Sequence, residues 1–172
     1  MTDLTLFTPA GVLLKAAPLR LAAKRLKALG FTVKTDEAAL AKHQRFGGND
    51  EIRLAALHRV AHEAPSIALA TRGGYGITRL LDRLDWKLLA RSVDRGTRWV
   101  GYSDLTALQM GLWAHAQAPT WCGPHAADDF GREVLDEVTP DCFAEAMSGE
   151  LEAIGFRTEA GFDGLQAAGM LW

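Results

Sequence analysis

Short apolar runs alternate with amphipathic segments from the N-terminus to about residue 122. The apolar runs at residues 4–8, 31–34, 66–70 and 98–102 predict four strands. The run at residues 66–70 is almost uniformly apolar, as is typical of a strand that is buried on both faces. Segments with helical spacing lie between and after these runs, at about residues 18–29, 50–61 and 105–112. This alternation predicts a parallel sheet flanked by helices.

The pattern changes after residue 122. Glycine, proline and aspartate break the chain into loops, with short helices predicted at about residues 131–138 and 140–148. From residue 149 onward, five glycines interrupt a weak periodicity. We therefore predict one α/β domain over residues 1–150, and a linker or the beginning of a further domain over residues 151–172.

Composition limits the classes of function. The 172 residues are 48% hydrophobic, which is enough for one sizeable core. The 19 basic and 21 acidic residues give a net charge of -2, so no basic surface for nucleic acid or an anionic membrane is expected. Cys122 and Cys142 form no disulfide or metal pattern. With no secretion signal and no long apolar run, a cytoplasmic protein with a small ligand and no metal or cofactor is expected.

A glycine-rich loop follows the third predicted strand directly, at residues 72–76 (RGGYG). In open parallel sheets, ligands bind beyond the carboxyl ends of the strands. Gly73 and Gly74 can adopt positive φ and turn main-chain N–H groups toward a ligand, so the loop can bind an anion or stabilise an oxyanion. The loop lacks the third glycine of a dinucleotide fingerprint and the lysine of a P-loop. A tight turn without a ligand is the alternative.

A serine, Ser103, follows the fourth predicted strand and precedes a helix. A side chain at such a junction projects above the sheet, as in a nucleophile elbow, and the amide of Asp104 becomes an oxyanion donor. Leu105 stands where the G-x-S-x-G pattern has its second glycine. The alternative is that Ser103 caps the following helix.

Three histidines are candidates for a chemical role. His125 lies just after Gly123-Pro124 and can approach Ser103 as a general base. The alternative is a loop histidine without a catalytic task. His58 and His62 lie four residues apart and could share a metal. Arg59 stands where the H-E-x-x-H pattern has glutamate, and no third ligand is evident, which favours two solvated histidines.

Taken together, the segments from residue 46 to residue 123 resemble the LD-carboxypeptidase family. Residues 46–53 (FGGNDEIR) are similar to its "aGtDeeRa" stretch, and residues 70–85 to its "aRGGYGaaRLLplLD" motif. Residues 100–108 (VGYSDLTAL) resemble its nucleophile segment "iGYSDiTaLh". Cys122 departs from the family at a position where many members have histidine before Gly-Pro. The resemblance covers about residues 4–150.

This resemblance implies a fold, an activity and a set of site residues. The expected fold is a parallel sheet of four or five strands flanked by helices, of the flavodoxin-like or class I amidotransferase-like kind. The implied enzyme is a two-domain, cytoplasmic serine peptidase, homodimeric when intact, that releases a terminal D-amino acid from murein tetrapeptide. Ser103 would be the nucleophile, and the oxyanion hole would comprise the Asp104 amide and an amide of the Gly73–Gly74 turn.

In the family, the base is a histidine oriented by a glutamate, both from a C-terminal domain, and no residue of this sequence matches either. We therefore expect residues 1–172 alone to be inactive or nearly so. Two alternatives are an immunity hydrolase of the same family that acts on acyl-adenylate peptide antibiotics, and a noncatalytic module that binds a peptide carboxylate. We also expect self-association of the chain or an unusually apolar surface near residues 150–172.

Overall fold

The computed structural model describes residues 2–152, and the structural statements below concern that part of the chain. Five parallel strands form one sheet in the order β2-β1-β3-β4-β5. Their bounds are β1 Asp3–Phe7, β2 Thr32–Thr35, β3 Ile67–Ala70, β4 Arg98–Gly101 and β5 Trp121–Cys122. The predicted parallel α/β sheet is therefore confirmed, and its strand order is the flavodoxin-like one.

Five α-helices cover the two faces of the sheet: α1 Ala17–Ala28, α2 Asp50–Glu63, α3 Trp86–Asp94, α4 Leu105–Ala116 and α5 Val138–Ser148. Helices α1 and α5 pack on one face, and α2, α3 and α4 pack on the other. Successive strand residues enter opposite cores, as the period of two requires. In β4, Trp99 enters the core below α2 to α4, whereas Val100 faces α1 and α5.

Capping signals account for two of the helix boundaries. Asn49 caps α2, since its Oδ1 accepts a hydrogen bond from the Ile52 amide at 2.9 Å. Asp85 caps α3 by accepting from the Leu88 amide at 2.9 Å. The acidic residue at this position therefore marks a helix beginning.

The predicted helix at residues 131–138 is wrong. One turn of π-helix occupies Ala126–Phe130 instead, and turns and bends follow it. Here the guanidinium of Arg25 in α1 binds the main-chain carbonyl groups of Phe130, Arg132 and Glu133. These tertiary hydrogen bonds hold the segment against α1 in a non-helical conformation. The second predicted short helix is present as α5.

Two further expectations concern the end of the chain and the membrane. The predicted linker over residues 151–172, with its expected apolar surface, lies outside the described residues from position 153 onward. None of the helices within residues 2–152 combines the length and the apolar character that a membrane span requires.

Candidate active site

Ser103 occupies a sharp junction between β4 and α4. Its φ of 57° lies in the left-handed region, which is uncommon for a residue other than glycine. The side chain is exposed, and its hydroxyl makes no hydrogen bond with another residue of the range 2–152. The first turn of α4 uses the Ser103 carbonyl instead, which accepts from the Thr106 amide at 3.0 Å. Ser103 is thus presented to solvent and does not cap the helix.

The glycine turn that follows β3 packs directly against this serine. A Cβ atom added to Gly73 would lie 3.1 Å from Ser103 Oγ and 3.0 Å from Ser103 Cβ, so any larger residue would push the serine away. Gly74, with a φ of 100°, completes the turn. Within residues 2–152, the amides of Gly73, Gly74 and Asp104 donate to no main-chain carbonyl.

Several contacts hold the glycine loop in place beside the elbow. The Gly11 amide donates to the Gly73 carbonyl at 3.0 Å, and the Ile77 amide donates to Asp104 Oδ2 at 2.9 Å. The fully buried Arg53 donates through Nη1 to the carbonyl groups of Pro9 and Gly76. The loops after β1, β3 and β4 are therefore fixed relative to one another, which is the preorganisation that oxyanion stabilisation needs.

Burial changes the pKa of one group in these contacts, the carboxyl of Asp104. The pKa of the Asp104 carboxyl is raised by its removal from water, and the hydrogen bond from the Ile77 amide only partly offsets this effect. The carboxyl of Asp104 therefore joins the loop after β3 to the loop after β4, while its main-chain amide lies at the beginning of α4. The sequence analysis assigned a role to this amide and none to the carboxyl.

His125 contacts the elbow, although not as a general base. Its side chain is 1% exposed, its Nε2 atom accepts a hydrogen bond from the Tyr102 amide at 3.2 Å, and its ring stacks on Tyr102 with centroids 4.1 Å apart. A base must accept the proton of the serine hydroxyl, and here the Nε2 lone pair is already occupied. In this geometry His125 supports the main chain next to Ser103, a role that neither sequence interpretation contained.

Two aspartates that sequence reasoning had placed in a loop complete this region. Asp129 Oδ2 accepts from the His125 amide at 2.7 Å, and Asp128 Oδ2 lies 3.7 Å from His125 Nδ1. The pKa of Asp128 is lowered, first by His125 and then by the charge of Arg72, with a smaller contribution from the Gly73 amide. Only tertiary packing brings Asp128 to the glycine turn, so no local sequence signal could have found it.

His58 and His62 lie on α2, and His58 contacts the beginning of α3. His58 Nε2 accepts a hydrogen bond from the Asp85 amide at 3.0 Å, next to the beginning of α3. Across residues 2–152 there is no group of three histidine, cysteine, aspartate or glutamate side chains that could hold a metal ion. His58 and His62 therefore do not contribute to the site at Ser103.

An exposed serine at a sharp strand-to-helix junction, with the amides of Gly74 and Asp104 nearby, resembles the nucleophile elbow found in α/β serine hydrolases. Residues 4–123 match the family model described as the LD-carboxypeptidase N-terminal domain, and the chain belongs to that family. The resemblance seen in the sequence motifs is thus confirmed.

Similar proteins agree with this assignment. The chain is 33% identical over 116 residues to a probable murein peptide carboxypeptidase of Bacillus subtilis, an alignment that covers 67% of this chain and 34% of that protein. The crystal structure of a muramoyltetrapeptide carboxypeptidase from Oxalobacter formigenes is 34% identical, with a TM-score of 0.74 over 86% of this chain and 48% of that one.

A second solved structure belongs to a differently named relative. The MccF-like protein of Bacillus anthracis is 29% identical, with a TM-score of 0.76 over 85% of this chain and 44% of that one. The chain thus spans about a third of the length of the curated relatives it matches, and slightly less than half of the solved ones.

Proposed function

We propose that this chain carries the nucleophile of a serine carboxypeptidase that hydrolyses an L,D amide bond and releases a terminal D-amino acid from a murein tetrapeptide. The observation that carries the proposal is the exposed Ser103 hydroxyl at the elbow, in contact with the glycine turn. Family membership supports the reaction class, and the names of the Bacillus subtilis and Oxalobacter formigenes proteins support the substrate.

In the proposed reaction, Ser103 Oγ attacks the carbonyl carbon of the last peptide bond and gives up its proton to a base. The developing oxyanion accepts hydrogen bonds from the Asp104 amide and from the Gly73–Gly74 turn. Because the Gly73 amide already faces the Asp128 carboxylate, we assign the second donor to Gly74. The C–N bond then breaks, the amine leaves with a proton, and water hydrolyses the ester to free the serine.

The base is the part of the machinery that we do not find among these residues. The family resemblance implies a histidine oriented by a glutamate from a further domain, and His125 directs its Nε2 lone pair at the Tyr102 amide. Loss of the base from a triad lowers the rate by about a millionfold. We therefore propose that residues 1–172 alone hydrolyse murein tetrapeptide at a negligible rate.

The activity test is to incubate residues 1–172 with murein tetrapeptide and measure free D-alanine, with Ser103→Ala as the control. We expect no release above that of the control. Release by the unmodified chain that Ser103→Ala abolishes would refute the proposed inactivity and indicate a base within the chain.

The nucleophile can be tested without hydrolysis. A fluorophosphonate probe followed by peptide mass spectrometry reports which serine reacts. The probe is far more electrophilic than an amide, and the proposed oxyanion donors are present without the base, so we expect a slowly formed adduct at Ser103. Gly73→Ala should reduce the labelling because its methyl group would lie 3.1 Å from the hydroxyl and force the serine to shift. Labelling spread evenly over the other serines of the chain would exclude an activated Ser103.

The second candidate is an immunity hydrolase acting on acyl-adenylate peptide antibiotics, which is favoured by the likeness to the MccF-like protein. This candidate differs from the first in substrate and not in the proposed elbow. Competition between murein tetrapeptide and an acyl-adenylate analogue for binding to the chain would separate the two.

A further inference from the structure

An open groove of about 300 Å³ lies along the glycine turn, with Gly74 in its wall. It is formed by the loops after β1 and β3, together with the segment before α2, and we call it the arginine groove. Its walls include Val12, Leu14, Arg45, Arg72, Gly74 and Tyr75. Strands β1 and β3 are adjacent in the sheet, and the chain order reverses between them. Ligands of open α/β sheets bind in the crevice at such a switch point.

The groove is positively charged. Arg45 and Arg72 both line it, and no acidic side chain within the described range does so. None of the carboxylates in residues 2–152 forms an ion pair with either arginine. Five other arginines each pair with a carboxylate: Arg53, Arg59, Arg79, Arg83 and Arg132. The two groove arginines therefore bring to one groove positive charge that residues 2–152 do not neutralise by direct contact.

Local contacts hold both guanidinium groups at the groove. Arg45 is exposed and lies over the ring of Tyr75, with its guanidinium carbon 5.1 Å from the ring centroid. Arg72 donates from Nη1 to the Val12 carbonyl at 3.1 Å, and its Nε atom is buried without a hydrogen-bond partner among residues 2–152. Stacking and this single hydrogen bond orient the two groups and leave further N–H donors for an anion.

The position of the groove relative to Ser103 restricts what it can bind. Gly74 lines the groove, and the neighbouring Gly73 lies so near the serine that a Cβ atom added to it would be 3.1 Å from Ser103 Oγ. In a peptide cleaved at its last bond, the free carboxylate lies about one residue, roughly 3.5 Å, beyond the reacting carbonyl. The groove thus begins about where the terminal carboxylate of the leaving residue must lie. Val12 and Leu14 offer apolar contact to a small side chain on that residue.

We propose that the arginine groove binds the C-terminal carboxylate of the substrate peptide, with Arg45 and Arg72 as the hydrogen-bond donors. This inference rests on the proposed function, because only a carboxypeptidase must recognise a free terminal carboxylate next to its nucleophile. The groove then accounts for exopeptidase specificity, since a peptide bond continuing past the cleaved residue would bring no negative charge to the two arginines.

Binding to residues 1–172 tests the inference without requiring turnover. The probes are acetyl-L-lysyl-D-alanine and its C-terminal amide, titrated into ¹⁵N-labelled protein while the amide signals of Gly74 and Gly11 are followed. We expect the free acid to bind and to shift these signals, and the amide to bind at least about tenfold more weakly. Equal affinity of acid and amide, or no binding of the acid at millimolar concentration, would overturn the proposal.

Variants identify the donors. Arg45→Gln and Arg72→Gln should each weaken binding of the acid by about tenfold and leave the amide unchanged. Arg91→Gln is the matched control, because Arg91 is exposed on α3, distant in sequence from the groove and free of ion pairs with residues 2–152. If Arg72→Gln impairs folding, Arg45→Gln decides alone, since its side chain is exposed. Acid binding that survives Arg45→Gln undiminished would exclude the assigned role.

Two outcomes separate this inference from the proposed function. If fluorophosphonate fails to label Ser103 but the preference for the free acid persists and requires the arginines, the subsite stands and the peptidase proposal fails. If Ser103 is labelled and acid and amide bind alike, the subsite fails and the nucleophile stands. Inorganic phosphate that binds the groove more tightly than the free acid would make it a general anion site and overturn the assignment.

Discussion

Ser103→Gly should stabilise the fold while removing the proposed nucleophile. A left-handed conformation costs a residue with a Cβ atom about 1–2 kcal/mol, and Ser103 adopts it with a φ of 57°. Glycine avoids this cost but loses about 0.5–1 kcal/mol more conformational entropy on folding. The hydroxyl makes no hydrogen bond with the described residues, so its removal adds little. The mid-range values, about 1.5 and 0.75 kcal/mol, leave an expected net gain in the free energy of unfolding of about 0.75 kcal/mol.

Urea unfolding followed by tryptophan fluorescence measures this gain, which corresponds to about 1–4 °C in Tm for a chain of this size. Ser103→Ala keeps the Cβ atom and should change stability by less than about 0.5 kcal/mol. Gln117→Gly is a second control, because Gln117 ends α4 with a φ of 51° and is exposed. A gain in Gln117→Gly with none in Ser103→Gly would refute the argument that the elbow is strained.

Three further predictions concern the glycine turn, the elbow and the beginning of α2. Gly73→Ala should displace Ser103, because the added methyl would lie 3.1 Å from its Oγ, and fluorophosphonate labelling should fall at least about tenfold. His125→Ala should lower the free energy of unfolding by about 1–3 kcal/mol, since it leaves the elbow amide unpaired, and urea unfolding measures this. The pKa of Asp50 is lowered from 3.8 to about 2, first by its hydrogen bond to Arg79. The ionised Asp50 therefore contributes fully to stability above pH 3.8, and this contribution disappears as the pH falls toward 2. The stability difference between the unmodified chain and Asp50→Asn should therefore shrink over that interval in urea unfolding, and a difference independent of pH would contradict the ion pair.

The apolar pattern was sufficient to predict the sheet, because the buried strands β1, β3 and β4 are short apolar runs that alternate with helical segments. Boundaries were less certain: β4 was predicted to include Tyr102 but ends at Gly101, whose φ of 156° turns the chain toward the elbow. The position of Ser103 could be predicted because a strand, a glycine and a helix beginning are all local signals. Its resemblance to a family motif added the expected chemistry.

The supporting contacts could not be predicted in the same way. His125 and Asp128 lie more than twenty residues from the elbow in sequence, and their meeting with Tyr102 and Gly73 depends on how the π-helical turn packs over the sheet. Arg53 belonged to a recognised motif, yet its burial beneath the loops after β1 and β3 has no local signature. Contacts of this kind follow from tertiary packing and not from pattern.

The proposed oxyanion donors are main-chain groups, and this affects how the site can be studied. Alanine scanning leaves every peptide nitrogen in place, so a survey of side-chain replacements would not register the amides of Gly74 and Asp104. Semisynthesis that exchanges either peptide linkage for an ester removes one N–H and retains the residue's side chain. Chemical protein synthesis, in addition to conventional mutagenesis, is therefore the approach that can measure their contribution.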